Sequence, residues 1–184
     1  FWCGLQHPTG SANYTPRVGE VRGSRWDRFD SVGEWVLATT LREIIAGGDD
    51  PLSMICDRCH ALGTDAWLSF RVNDAHHIYG GVTPSKSKTS QLFLARPDLR
   101  MGPDHGWPHQ WSQWQWDYLK PEVRDIVFDL LKEAFLDYDV DGVELDYIRH
   151  PYLFAIANVN EGAEALNGGF KCLRTLADEA EQKK

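Results

Sequence analysis

The sequence predicts an α/β fold: one (β/α) unit over residues 1–184, with parallel strands and crossover helices, amounting to an incomplete TIM-type (β/α)8 barrel. Three observations carry this expectation. Helical and strand periodicities alternate along the second half of the chain, the pattern that builds a parallel sheet. One strand ends in a burst of polar groups, Asp139-Val-Asp-Gly-Val-Glu-Leu-Asp-Tyr-Ile-Arg-His-Pro151, and strand ends are where parallel α/β folds place their chemistry. The length of 184 residues falls short of the roughly 250 that eight units need, so half to two-thirds of a barrel is expected.

Residues 1–30 are rich in turn formers (Pro8, Gly10, Pro16, Gly19, Gly23), after an opening Phe1-Trp-Cys-Gly-Leu5 that reads as strand. A helix is expected from Ser31 to Ala46, with Leu37, Leu41, Ile44 and Ile45 at helical spacing and Gly47-Gly48 as its stop. The next helix has an acidic cap at Asp49 or Asp50, Pro51 in its first turn and Gly63 at its end. Asp65 to Val72 alternates as a strand does and runs into Asn73-Asp74-Ala75-His76-His77. Residues 78–114 hold no sustained period, which marks a long loop of the kind found at active sites. A short strand near Trp114–Tyr118 precedes a strong helix from Pro121, whose apolar side is Val123, Ile126, Val127, Leu130, Leu131, Ala134 and Phe135. Gly142 to Tyr147 follows as a strand. A last helix reaches Glu181, with a perturbation expected at Gly168-Gly169.

Composition narrows the function classes. A net charge of −8 with no basic run argues against nucleic-acid and anionic-membrane partners. No apolar stretch is long enough to span a bilayer. Four cysteines in a chain of this size do not make a disulfide scaffold, and the compartment stays open, with a secreted, periplasmic or cell-surface location compatible. Cys56-Asp-Arg-Cys-His60 has the spacing of c-type haem attachment, but it lies on a helix whose Leu52, Ile55, Cys59 and Leu62 read as one packed face; no cofactor is expected. The opening reads like the interior of a domain, and no strand follows the last helix. A further segment or chain is therefore expected to complete the barrel.

Alternation along the Gly142–Tyr147 strand sets Glu144 and Asp146 on one face and Val143, Leu145 and Tyr147 on the other. Paired carboxylates followed by Arg149 and His150 suit proton transfer or stabilisation of a cation better than packing. Phe70-Arg-Val-Asn-Asp-Ala-His-His77, Leu119-Lys-Pro-Glu-Val-Arg124 and Tyr138 to Pro151, in this order and spacing, resemble successive strand ends of the family-ten-like bacterial glycosyl hydrolases. The resemblance covers roughly Gly19 to Ala180. It implies a barrel, a poly- or oligosaccharide ligand and a site at the carboxyl ends of the strands.

Under that resemblance, Asp146 is expected as nucleophile or base, with Glu144 as acid or support, because glycoside hydrolysis commonly uses two carboxyl groups. Their Cα atoms are expected about 6.6 Å apart. Arg71, Asn73, Asp74, His76, His77, Trp116, Tyr147, Arg149 and His150 are expected to contact sugar. The rival readings are a structural carboxylate–arginine network, a carbohydrate-binding protein without turnover, and a metal-dependent hydrolase using Asp74, His76, His77, Glu144, Asp146 and His150. No spacing matches an established metal motif, so no metal is expected. Trp107, Trp111, Trp114 and Trp116, with His105 and His109, serve equally as sugar platforms or as glue for the long loop.

Overall fold

The computed structural model describes residues 2–6, 8–76, 78–79, 83–84, 86–148 and 150–182, and of residues 2–6, 78–79, 83–84 and 86 the backbone alone. Its strands are β1 (Trp2–Gln6), β2 (Ser11–Ala12), β3 (Glu20–Val21), β4 (Trp67–Arg71), β5 (Ile78–Tyr79), β6 (Thr83–Pro84) and β7 (Gly142–Asp146). Its α-helices are α1 (Val32–Ala46), α2 (Pro51–Ala61), α3 (Gln91–Ala95), α4 (Pro121–Asp137) and α5 (Val159–Glu181).

The helix boundaries follow local chemistry. Ser31 caps α1 by accepting from the Glu34 N–H at 3.2 Å. Asp50 caps α2, its Oδ1 accepting from Leu52 and Ser53, and Pro51 opens the helix where a missing N–H costs nothing. The Asp50 Oδ2 also accepts from the Thr15 N–H at 2.7 Å, so the cap ties the early loop to the helix. Helix α5 runs unbroken through Gly168 and Gly169, where a perturbation was expected.

The barrel expectation is overturned. Five strands form one open sheet in the order β3-β2-β1-β4-β7, and β5 and β6 form a separate hairpin. Strands β1, β4 and β7 run parallel, but β2 pairs antiparallel to β1. The result is a small mixed α/β domain. The physical reason lies in two places. The antiparallel, two-residue β2 ends the run of parallel pairings on one side. On the other side, the described part of residues 78–114 supplies the hairpin, α3 and three short 3-10 turns, but no strand to the sheet. The strand expected near Trp114–Tyr118 is a 3-10 turn over Gln110–Trp114 followed by a single bridge between Arg100 and Trp116.

The register of β4 against β7 pairs Leu68 with Val143, Phe70 with Leu145 and Arg71 with Asp146. Leu68 and Phe70 are fully buried on the face covered by α2 and α4. Leu68 packs with Leu52, Cys56, Cys59, Ala134 and Val140; Phe70 packs with Val123, Val127, Leu130, Leu131 and Trp116. Cys56 and Cys59 thus serve as small apolar side chains of the α2 face. The other face carries Ser69, Arg71, Glu144 and Asp146, none of them buried. Among the described residues, no helix is long and apolar enough to cross a membrane.

Candidate functional site

Polar groups converge where β4 and β7 end. Their parallel pairing brings Arg71 level with Asp146, and the Val72 N–H donates to the Asp146 carbonyl at 3.1 Å, so the two exits stay together. Beyond them the chain turns at Asn73-Asp74 on one side and at Ile148 on the other.

Asp74 is the hub of this region. Its carboxylate is 3% exposed and accepts from the Arg71 guanidinium at 3.0 Å through Oδ2. Its Oδ1 accepts from the His76 backbone N–H at 2.8 Å and is hydrogen-bonded to His76 Nδ1. His150 Nδ1 lies 3.4 Å from the same oxygen and accepts from the Ala75 N–H at 3.3 Å. The His76 and His150 rings meet edge to face at 5.1 Å. His150 holds a left-handed backbone, φ 60°, the only non-glycine among the described residues to do so. That conformation costs on the order of 1 kcal/mol and persists only where surrounding contacts enforce it.

Asp146 sits beside this hub. Its Oδ1 accepts from the Ile148 N–H at 2.9 Å, and its Oδ2 lies 3.7 Å from the Arg71 Nε. Arg71 therefore spans two carboxylates, one buried and one facing solvent. Glu144 is exposed on the same sheet face, two positions back along β7.

An aromatic wall borders the hub. Trp111 meets His150 edge to face at 4.6 Å, His109 stacks on Trp111 at 5.0 Å, and Tyr152 packs against Trp107 at 4.6 Å. Trp107 donates its indole N–H to the Phe154 carbonyl at 2.8 Å, which fixes the wall to the segment after β7. His109 is exposed, and Trp107, Trp111 and Tyr152 are half-buried, so ring surface remains open to a ligand.

The expected site residues separate into groups. Arg71, Asp74, His76, Asp146 and His150 come together, with Glu144 on the adjoining sheet face. Asn73 adjoins them but is buried, its amide donating to the carbonyls of Trp116 and Tyr152. It acts as a strut that holds the β4 exit to the segments around residues 116 and 152. Trp116 is buried in the core, its indole N–H donating to the Pro8 carbonyl at 2.7 Å. Tyr147 points to the helix side of β7, against Phe170, where burial pushes its phenol up to about 12. His77 and Arg149 lie outside the described residues.

Sequence reasoning missed Tyr152 and Gln115. Gln115 is fully buried and donates to the carbonyls of Asn73 and His150, fastening both turns. Its position next to Trp116 in an aperiodic stretch offered no signal. The apolar cavities beside β7, lined by Leu131, Phe135, Leu145, Phe170 and Leu173, open on the helix side of the sheet, away from the carboxylates. No protein-family model and no curated protein matches this chain.

Proposed function

We propose that this protein is a carbohydrate-active hydrolase that cleaves a glycosidic bond in a poly- or oligosaccharide. Asp146 acts as nucleophile or base and Glu144 as the acid that protonates the leaving oxygen. The observation that carries the reading is the uncovered face of β7. Glu144 and Asp146 lie together on it, with Asp146 held by the Ile148 N–H and flanked by Arg71. The two carboxyl groups reach the same face from positions two apart on one strand, as a pair acting on one bond must.

Two further features support it. Rings of Trp111, His109 and Tyr152 stand open beside the hub, and flat ring faces stack on sugars while excluding water. The Arg71 fork offers donors suited to sugar hydroxyls. The likeness of the strand-end motifs to the family-ten-like glycosyl hydrolases points the same way.

The test is release of reducing ends from a panel of oligosaccharides by the parent protein and by Asp146→Asn. The substitution should lower turnover by roughly 10²–10⁴, the range for removal of an acid/base group, with circular dichroism unchanged. Turnover near the parent value would refute the assignment to Asp146. Binding of an oligosaccharide without turnover by the parent would replace the hydrolase with a binding protein.

A further inference from the structure

We propose that Asp74, His76 and His150 form a site for one divalent transition-metal ion of the zinc class. The inference stands apart from the glycosidase chemistry, since it rests on side chains other than Glu144 and Asp146 and is read by spectroscopy rather than by turnover.

The three residues each present one ligand atom, and these atoms lie within 4.8 Å of one another. They are two imidazole nitrogens and a carboxylate oxygen, contributed by the β4 exit and the β7 exit. Two imidazoles with one carboxylate select zinc, cobalt, nickel or iron over magnesium and calcium, which prefer oxygen alone. Three protein ligands leave room for water or substrate, the arrangement of a reactive site rather than a closed structural one.

Hydrogen bonds hold the ligand atoms close together. His150 Nδ1 accepts from the Ala75 N–H, a bond that keeps its ring beside Asp74. The same nitrogen lies 3.4 Å from the Asp74 Oδ1. A metal ion bound there would draw on both, His150 giving up the bond from Ala75 if it coordinated through Nδ1. Coordination through His76 Nδ1 would break its hydrogen bond to the Asp74 Oδ1, the ring proton being carried on Nε2 instead so that the imidazole binds neutral.

The surroundings have the features of a ligand support. The Asp74 Oδ2 is held by Arg71, leaving Oδ1 directed at the histidines. The His76 N–H holds the Oδ1 itself at 2.8 Å. The left-handed backbone of His150 turns its ring back toward Asp74, and Trp111 closes over that ring. The strain is thus spent on bringing the third ligand into place.

The experiment is a titration of the chelator-treated protein with Co²⁺ at neutral pH, followed in the visible. We expect one ion per chain, displaced by Zn²⁺. Thiolate charge-transfer absorbance in the near-ultraviolet should be absent, which separates this site from Cys56 and Cys59. His76→Ala and His150→Asn should each weaken binding at least tenfold; asparagine is chosen because it tolerates a positive φ. Stoichiometric binding that survives both substitutions would place the ion elsewhere and overturn the proposal. So would the absence of cobalt binding, or a thiolate spectrum. Loss of cobalt binding in both variants, with circular dichroism unchanged, would uphold the metal site.

Discussion

Glu133 offers the most direct test of how this fold is held together. It lies on α4 and is 1% exposed, although the residues around it in sequence give it no obvious cover. The cover comes from the early loop. The Arg17 N–H donates to its Oε1 at 3.0 Å and the Val18 N–H to its Oε2 at 2.7 Å. The same loop is tied to α2 through Thr15 and Asp50, and the Tyr138 hydroxyl donates to the Thr15 carbonyl at 3.1 Å. Glu133→Gln keeps the shape and one acceptor oxygen but turns an NH2 group against the second N–H. One bond to a carboxylate is lost and a donor is left facing a donor, which costs about 2–3 kcal/mol. For a chain of this length that corresponds to a fall in Tm of about 5–10 °C. Glu133→Ala removes both acceptors and should cost more, about 4 kcal/mol. The assay is urea unfolding followed by the fluorescence of the eight tryptophans, with an unchanged slope showing that the unfolded state is the same. Glu133→Gln within about 0.5 kcal/mol of the parent, the range of an ordinary surface change, would refute the reasoning.

Two further predictions concern α5 and the helix side of β7. A Cβ at Gly162 would lie 2.3 Å from the Phe154 ring, whereas nothing stands within 4 Å of one at Gly168 or Gly169. Gly168→Ala and Gly169→Ala should therefore each stabilise by about 0.5–1 kcal/mol, and Gly162→Ala should destabilise despite the same gain in helix propensity; thermal melts giving one sign for all three would contradict this packing. Tyr147 has its phenol raised to about 12 by burial, above the ordinary 10.0, so unfolding favours its ionisation. The stability it contributes is complete below pH 10 and is lost between roughly pH 10 and 12; Tyr147→Phe should flatten that part of the stability–pH curve, and an unaltered curve would show the ring to be solvated.

The sequence by itself determined α1, α2, α4 and α5, because capping and periodicity act within a few residues; α3 lies in the stretch expected to be loop. Asp50, Pro51 and Gly63 bound α2 whatever lies nearby, and Ser31 starts α1 in the same way. It also determined the division of β7 into two faces, since alternation is a property of extended backbone. Glu144 and Asp146 duly share the uncovered face.

Sheet order was a different matter. Nothing local told β2 to pair antiparallel to β1, and that pairing ended the parallel run on which the barrel expectation relied. Tertiary structure likewise decided which polar and aromatic residues are struts. Trp116 reaches the Pro8 carbonyl across 108 positions, and Asn73 braces two segments that follow it by 43 and 79. The same is true of the hub, where His150 meets Asp74 only because β4 and β7 exit side by side. A residue's type states what bonds it can make; which partner it finds depends on contacts between distant positions, and those exist only once the sheet has formed.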